Sequence, residues 1–429
     1  MYTAIDRCRI CANTNLLPIL DLGKQVLTGV FPRTPEQAVD SAPLELVKCQ
    51  SKSNNHSCGL LQLKHSYDLE VLYGDNYGYR SGLNQSMSDH LRKKALDILD
   101  FVSLAPGDAI VDIGSNDATL LKSYPKNKYL LIGVDPTGNK FRKYYPEHIQ
   151  VIPEFFNKGC LKKSLGKKKA KIITSIAMFY DVESPLDFMS DIYEILDEAG
   201  VWLFEQSYLP ALIAETAYDS ICHEHLEYYA LKQIKWMSDK VGFKIVDVAF
   251  NHVNGGSFSV MVAKPGSPVK ENTELVSRIL DQEEKHGLNG LKIYQQFQRR
   301  VYEHREQLRK VIHEIKNSNK TVVGYGASTR GNVLLQFCGI TKNDIRYIGE
   351  INEDKFGCFT PGTKIPILTE AEVKASAPDY LFILPWHFEE SFLKREKEYL
   401  RQGGELLLPL PEIRFLTKST LPALKSVFD

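Results

Sequence analysis

Several things are missing from this sequence, and each absence excludes something. No apolar run approaches the ~18 residues of a membrane-spanning helix, so the chain is not organised around a membrane anchor. Neither sign of charge is in surplus. The 53 Lys and Arg stand against 53 Asp and Glu, which argues against a nucleic-acid or membrane partner. The first residues, Met1-Tyr2-Thr3-Ala4-Ile5-Asp6-Arg7, lack an apolar signal segment, so a cytoplasmic location is expected. In that setting the eight cysteines are expected as thiols or metal ligands rather than disulfides. Core-forming residues are plentiful. Hydrophobic residues make up 43% of the 429, enough for two or three domains at roughly 100–200 residues each.

The chain is organised around Val111-Asp112-Ile113-Gly114-Ser115-Asn116-Asp117. Ala109 to Ile113 reads as a buried parallel strand. A Gly turn follows, then Ala118-Thr119-Leu120-Leu121-Lys122 as the start of a helix with Asp117 at its N-cap. A second strand, Tyr129 to Val134, ends in Asp135, where an acid can bind ribose hydroxyls. The dinucleotide fingerprint would need Gly at 116 and 119, where Asn116 and Thr119 stand. Without those glycines a pyrophosphate cannot approach closely, and S-adenosylmethionine fits better than NAD.

Cys8-Arg9-Ile10-Cys11 is a C-x2-C knuckle, and Cys49 and Cys58 follow about forty residues later. Four thiolates could close a structural zinc site that holds a segment with little core of its own. The second pair is widely spaced, and His56 in the gap could replace one ligand. The Tyr/Gly stretch from Tyr67 to Gln85, with Tyr77 and Tyr79, reads as a loop that either pads a domain junction or offers phenols to a polar ligand.

Further strands are expected at Ala170–Ile176 and Gly200–Glu205, separated by a helix from Leu186 to Ala199, giving a doubly wound α/β sheet. Phe179-Tyr180-Asp181 and Glu205 to Tyr208 follow strand ends, so both should line the mouth of the site. The densest polar cluster is Tyr218 to Tyr229, containing Cys222-His223-Glu224-His225. It is not H-E-x-x-H, which excludes the helical zinc-protease reading. An imidazole there could remove a proton next to a carbonyl; alternatively both histidines are satisfied by backbone. Asn251 to Ala263 reads as a turn entering a strand that closes the sheet. Gly255-Gly256 is either turn chemistry or room for a substrate. Pro265-Gly266-Ser267-Pro268 marks a boundary, and Asn272 to Asn317 reads as a charged helical connector. A second α/β unit opens with Thr321 to Asn332, where Gly324, Gly326 and Arg330 suggest a diphosphate cradle at a helix N-terminus. Further strands are expected within Ile345–Glu350 and Tyr380–Trp386.

Together these segments resemble the S-adenosylmethionine-dependent C-methyltransferases that act on nucleotide-linked 4-keto sugars. The resemblance is carried by the Cys8/Cys11 knuckle, Cys58 to Leu63, Tyr77 to Ser86, Ile113 to Asp117, His223 to Leu226 and Gly255-Gly256-Ser257. In the last domain Gly324 to Ala327, Pro361 to Pro366 and Pro409 to Glu412 carry it. It implies a zinc-binding N-terminal domain over 1–70 and a class I, Rossmann-like methyltransferase domain over 71–266. A helical connector and a C-terminal Rossmann-like domain for the nucleotide half of a dTDP- or GDP-linked keto-sugar would fill 267–429. It also implies site residues. His225 is the base, with Glu224, Tyr77, Tyr79, Cys222 and Asp181 around the reacting sugar. Gly114, Asn116, Asp117, Asp135, Ala177 and Glu205 would contact the cofactor. His223, Gly255, Gly256, Tyr325, Gly326 and Arg330 would contact substrate, and Cys8, Cys11, Cys49 and Cys58 would hold Zn2+. The reaction implied is C-methylation at C-3 through an enolate. O- or N-methylation of a nucleotide sugar, or a non-catalytic nucleotide-sugar-binding protein, are the alternatives. Three departures mark this chain: Cys222 where Tyr is common, Asp181 where His is common, and Ala118 where Gly is usual. Cys222 reads as a packing residue or as a thiol donor.

Overall fold

The computed structural model describes residues 2–51, 57–73 and 77–420. Its central sheet follows from strands buried on both faces. In the strand Ala109–Ile113 every residue is buried. Ala109, Val111 and Ile113 join one core with Trp202 and Phe204. Ile110 joins the opposite core with Leu131 and Ile172. That two-residue division is what a parallel strand between two covering layers requires.

The seven strands are β1 (Ala109–Ile113), β2 (Leu130–Val134), β3 (Ile149–Ile152), β4 (Ala170–Ile176), β5 (Leu196–Ser207), β6 (Lys244–Asn251) and β7 (Ser257–Ala263). Their order is β6-β7-β5-β4-β1-β2-β3, with β7 antiparallel to both neighbours. The winding reverses between β1 and β4, which opens a crevice beyond their carboxyl ends.

Three local expectations are corrected. No α-helix follows Gly114. Ala118 adopts a left-handed φ of 62°, and Asp117 Oδ1 accepts from the Thr119 N–H in a local turn. Only a short 3-10 turn at Leu121–Ser123 remains. The helix expected over Leu186 to Ala199 is found at Pro185–Ile195 and stops four residues short because Leu196 to Ala199 already belong to β5. β7 lies inside the sheet and β6 forms its edge. The Tyr67–Gln85 stretch contains a short helix at Leu69–Leu72 and a 3-10 turn at Ser81–Leu83.

Before the central sheet, strands Leu16–Val26, Ser41–Cys49 and Leu61–Leu63 form an antiparallel sheet. Its fourth strand is Glu227–Tyr228, donated by the segment just after His225. After the central sheet, helices Thr273–Lys285 and Lys292–Asn317 make the connector. The first packs on β6, and the second on helix Thr329–Cys338 and strand Leu16–Val26. The last sheet orders Ile367–Thr369, Ile348–Glu350, Val322–Tyr325, Tyr380–Ile383, Glu405–Leu408 and Arg414–Leu416. Its first five strands are parallel and the last is antiparallel. Among the described residues, no helix is long and apolar enough to cross a membrane.

Candidate active site and metal centre

The four cysteines Cys8, Cys11, Cys49 and Cys58 meet in one cluster, with all sulfurs within 4.8 Å of one another. Cys8 and Cys58 are 3.4 Å apart, as are Cys11 and Cys49. Asn13 Nδ2 donates to Cys49 Sγ at 3.2 Å, the kind of outer contact that steadies a ligating thiolate. The donor set and spacing fit a closed tetrahedral zinc site. His56 lies outside the described residues.

A cavity of about 450 Å³ lies beyond the carboxyl ends of β1, β2, β4 and β5. Five of the residues expected to contact the cofactor, Gly114, Asn116, Asp135, Ala177 and Glu205, lie on its wall. Gly114 sits at φ 75°, and a Cβ there would meet Met178 Cγ at 2.9 Å, so a side chain at this turn is strained and must displace Met178. Asp135 Oδ1 accepts from the backbone N–H and the hydroxyl of Thr137, at 2.7 and 2.5 Å. Oδ2 accepts from the Asn116 N–H at 2.8 Å. Each carboxylate oxygen has two lone pairs, so Oδ2 keeps one for a ligand hydroxyl. Asp117 stands behind the wall: its carboxylate accepts from Gly82 and Thr119. Glu205 is held by His90 at 2.5 Å, Lys94 at 2.9 Å and Asn251 at 2.8 Å. Its neighbour Gln206 also lines the cavity, with both side-chain polar atoms buried and unpartnered among the described residues. Unmet polar groups in such a wall fit a bound polar cofactor.

Tyr77, Tyr79, Asp181, Cys222, Glu224 and His225 also line this cavity, and Asn116 Nδ2 donates to the Tyr79 carbonyl at 3.2 Å. His225 Nδ1 faces the Ser220 carbonyl at 2.8 Å. A carbonyl only accepts, so Nδ1 carries the proton and Nε2 keeps its lone pair. Burial pushes the His225 pKa down to about 4, with Arg330 lowering it further against the Ser220 carbonyl and Asp219, so the ring is neutral near pH 7. Glu224 is 7% exposed and its Oε2 has no partner among the described residues. Burial raises its pKa, as it does for Cys222, whose thiol lies beside Glu224. The Tyr73 hydroxyl donates to Asp181 Oδ2 at 2.6 Å, and Oδ1 has no partner among the described residues. Burial, with Glu224 nearby, holds the Asp181 carboxyl well above the usual range despite that bond.

Five residues expected at the substrate are not on the wall. His223 is buried with its ring nitrogens 3.4 Å from Thr28 Oγ1 and 3.3 Å from the Ala42 carbonyl. The Tyr325 hydroxyl donates to Glu396 at 2.8 Å inside the C-terminal core. A Cβ on Gly326 would meet Pro385 at 2.6 Å, one on Gly255 would meet Trp386 at 3.1 Å, and one on Gly256 would meet Ala211 at 2.6 Å. These three glycines allow close packing rather than an approach to a ligand. Arg330 does line the cavity, but its guanidinium is already engaged. Nε and Nη2 each donate to Asp219 at 2.9 Å, and Nη1 donates to the Asn254 carbonyl at 2.6 Å. The expected diphosphate cradle is instead a cross-domain ion pair.

Asp112, Lys355 and His387 are wall residues that the sequence reading did not single out, and Tyr73 was covered only as one tyrosine of the Tyr67–Gln85 stretch. Asp112 sits inside β1, accepts from Thr174 at 2.6 Å, and is raised by burial to about 7. An acid within a buried strand was the available signal. Tyr73 stood in a stretch without periodicity. Lys355 and His387 come from the C-terminal domain, just past the strands Ile348–Glu350 and Tyr380–Ile383. The rule that ligands sit at strand carboxyl ends, applied to that sheet, would have found both.

Three family models match the chain in order. A domain described as zinc binding matches residues 8–73, a methyltransferase domain matches 87–248, and a C-methyltransferase C-terminal domain matches 252–411. The C-methyltransferase NovU of Streptomyces niveus is 28% identical over 421 residues, covering 97% of this chain and 98% of NovU. Among solved structures, a Haloferax volcanii complex of a methyltransferase with the Trm112 activator aligns with a TM-score of 0.35 and 13% identity, over 43% of this chain and 94% of that one. The CcbJ methyltransferase of Streptomyces caelestis aligns with a TM-score of 0.32 and 12% identity, over 41% and 89%. The central sheet, with its order and single reversed strand, is the class I methyltransferase arrangement expected for the matched domain.

Proposed function

Because this chain belongs to the S-adenosylmethionine-dependent C-methyltransferases that combine zinc-binding, methyltransferase and C-terminal domains, we propose that it methylates a nucleotide-linked 4-keto-deoxysugar at C-3. The observation that carries this reading is His225. Its ring is neutral, fixed as the Nδ1–H tautomer by Ser220, and offers Nε2 to the cavity. A ketone at C-4 acidifies the C-3 proton, and a positioned neutral imidazole is a suitable base for it. Nε2 takes the proton, the C–H electrons form the enolate, and the enolate carbon accepts the methyl. S-adenosylmethionine, when bound, would supply that methyl from its sulfonium, the electrons of the broken S–CH3 bond staying on sulfur as a neutral thioether. Glu224 and the tyrosines Tyr77 and Tyr79 hold the sugar. Asp181, kept protonated by its burial, donates to the developing enolate oxygen, as a neutral carboxyl can in an apolar site. The Gly114–Asp135 side holds the nucleoside of the cofactor.

The test is mass spectrometry of the protein with S-adenosylmethionine and a panel of dTDP- and GDP-linked 4-keto-6-deoxy sugars in deuterated water. The expected result is gain of one methyl on carbon, with deuterium entering unmethylated substrate, and loss of both in His225→Asn. Fragments that place the methyl on oxygen or nitrogen would replace the C-methylation reading with the alternative. Absence of transfer to every sugar in the panel would overturn the substrate class.

A further inference from the structure

Resting on the reading of His225 as the base, we propose that Asp219 is a positioning residue for it, and that the C-terminal domain holds the base in register through Asp219.

The geometry is continuous. Asp219 is 1% exposed and receives three donors from the C-terminal domain. Two come from Arg330, in a fork at 2.9 Å each. The third is Trp386 Nε1 at 2.8 Å. The Arg330 guanidinium also lies 5.6 Å from the centre of the Trp386 ring, and its remaining arm reaches the Asn254 carbonyl. A bidentate Arg–carboxylate pair with an indole donor leaves a buried carboxylate little freedom. The next residue, Ser220, supplies the carbonyl that fixes the His225 tautomer. The far side of the loop is held independently. The Leu226 N–H donates to the Tyr180 carbonyl and the Leu63 N–H to the Leu226 carbonyl, both at 2.8 Å. His225 is thus set between an N-terminal grip downstream and a C-terminal grip upstream. The helix start that carries Arg330 serves this clamp.

The groups facing His225 are the Tyr180 ring at 4.4 Å, Asp219 and Arg330 across the loop, and Cys222 and Glu224 on its own segment. Arg330 disfavours a proton on the ring and Asp219 favours one. Removing either partner therefore moves the ring's proton affinity in opposite directions, a signature that simple loosening of the fold does not produce.

The experiment is nitrogen-15 NMR of the ligand-free full-length protein, with the His225 signals identified by their loss in His225→Asn. In the unaltered protein a single Nδ1–H tautomer is expected, titrating near about 4. Asp219→Asn should lower that midpoint, Arg330→Gln should raise it, and both should mix the tautomers. With substrate, Asp219→Asn should lower kcat about 10–100-fold, while cofactor affinity stays within about twofold. Arg330→Lys, which keeps the charge without the fork, should fall between. Should Asp219→Asn fail to fold, Trp386→Phe removes one donor only and should mix the tautomers to a smaller degree. Unchanged tautomer and midpoint in the folded variants, or shifts of the same sign, would overturn the clamp. Because the NMR needs no substrate, it decides this point even if methyl transfer in His225→Asn shows that the base lies elsewhere.

Discussion

The two Gly turns, at Gly114 in the central sheet and at Gly324-Tyr325-Gly326 in the C-terminal sheet, look alike in sequence and differ in use. Both follow a buried strand, and both have a glycine at positive φ. The central turn has no helix behind it, and its polar groups border the cavity. The C-terminal turn has a well-capped helix, Ser328 accepting from the Gly331 N–H at 3.0 Å. Ser328, Thr329 and Arg330 of this turn also reach the cavity wall, yet Tyr325 is engaged by Glu396 and Arg330 by Asp219. A strand–Gly–helix pattern therefore identifies a tight turn. Whether that turn binds anything depends on which polar groups remain unpartnered, and that is decided by distant segments.

Substitutions at equivalent places should separate the two turns. The largest effect is expected at Gly114→Val. Left-handed strain and the Met178 contact should weaken S-adenosylmethionine binding by on the order of 100-fold by calorimetry, with the fold retained. Gly326→Val should do the reverse, costing about 2–4 kcal/mol in denaturant unfolding through the clash with Pro385 while cofactor affinity is kept. Equal effects from the two substitutions would dissolve the contrast. Next, Asp135→Asn should weaken the cofactor about tenfold, because the amide nitrogen must face the Asn116 or Thr137 donors that the carboxylate now accepts. Tyr325→Phe should cost only about 1 kcal/mol, since Glu396 keeps Lys374 and Arg395, and it should leave activity untouched. The smallest signal is a pH profile. In the proposed mechanism the neutral form of His225 acts, and burial lowers its pKa to about 4. kcat/KM should therefore show no histidine step across the ordinary range near 6.5, its histidine limb appearing as the pH drops toward about 4.

These contrasts mark how far the sequence could be read. Strands β1 and β4 were legible to the residue because period-two burial leaves a run of Val and Ile with no other home. The cysteine cluster was legible because four thiols in the first sixty residues need one another. The missing helix after Gly114 was not legible. Ala118 in a left-handed conformation and the Asp117–Thr119 turn are choices made by the packed loop, where composition favours a helix. Residue type alone did not separate His223 from His225; only the resemblance assigned the base to His225 and a substrate contact to His223. Tertiary partners separate them, since Thr28 and Ala42 lie far from that motif in the chain. Arg330 was read from its helix alone, and its partner Asp219 lies 111 residues earlier.

The strand Glu227–Tyr228 carries a consequence for the order in which the protein is made. It completes a sheet begun by Leu16–Val26, and the loop before it is held by Arg330 and Trp386 from much later in the chain. During synthesis from the N-terminus, the crevice of β1, β2, β4 and β5 can form before those last residues exist. The segment bearing His225 acquires its fixed geometry only after Trp386 has emerged. If His225 is the base proposed above, an unfinished or clipped chain would present the crevice without a set base.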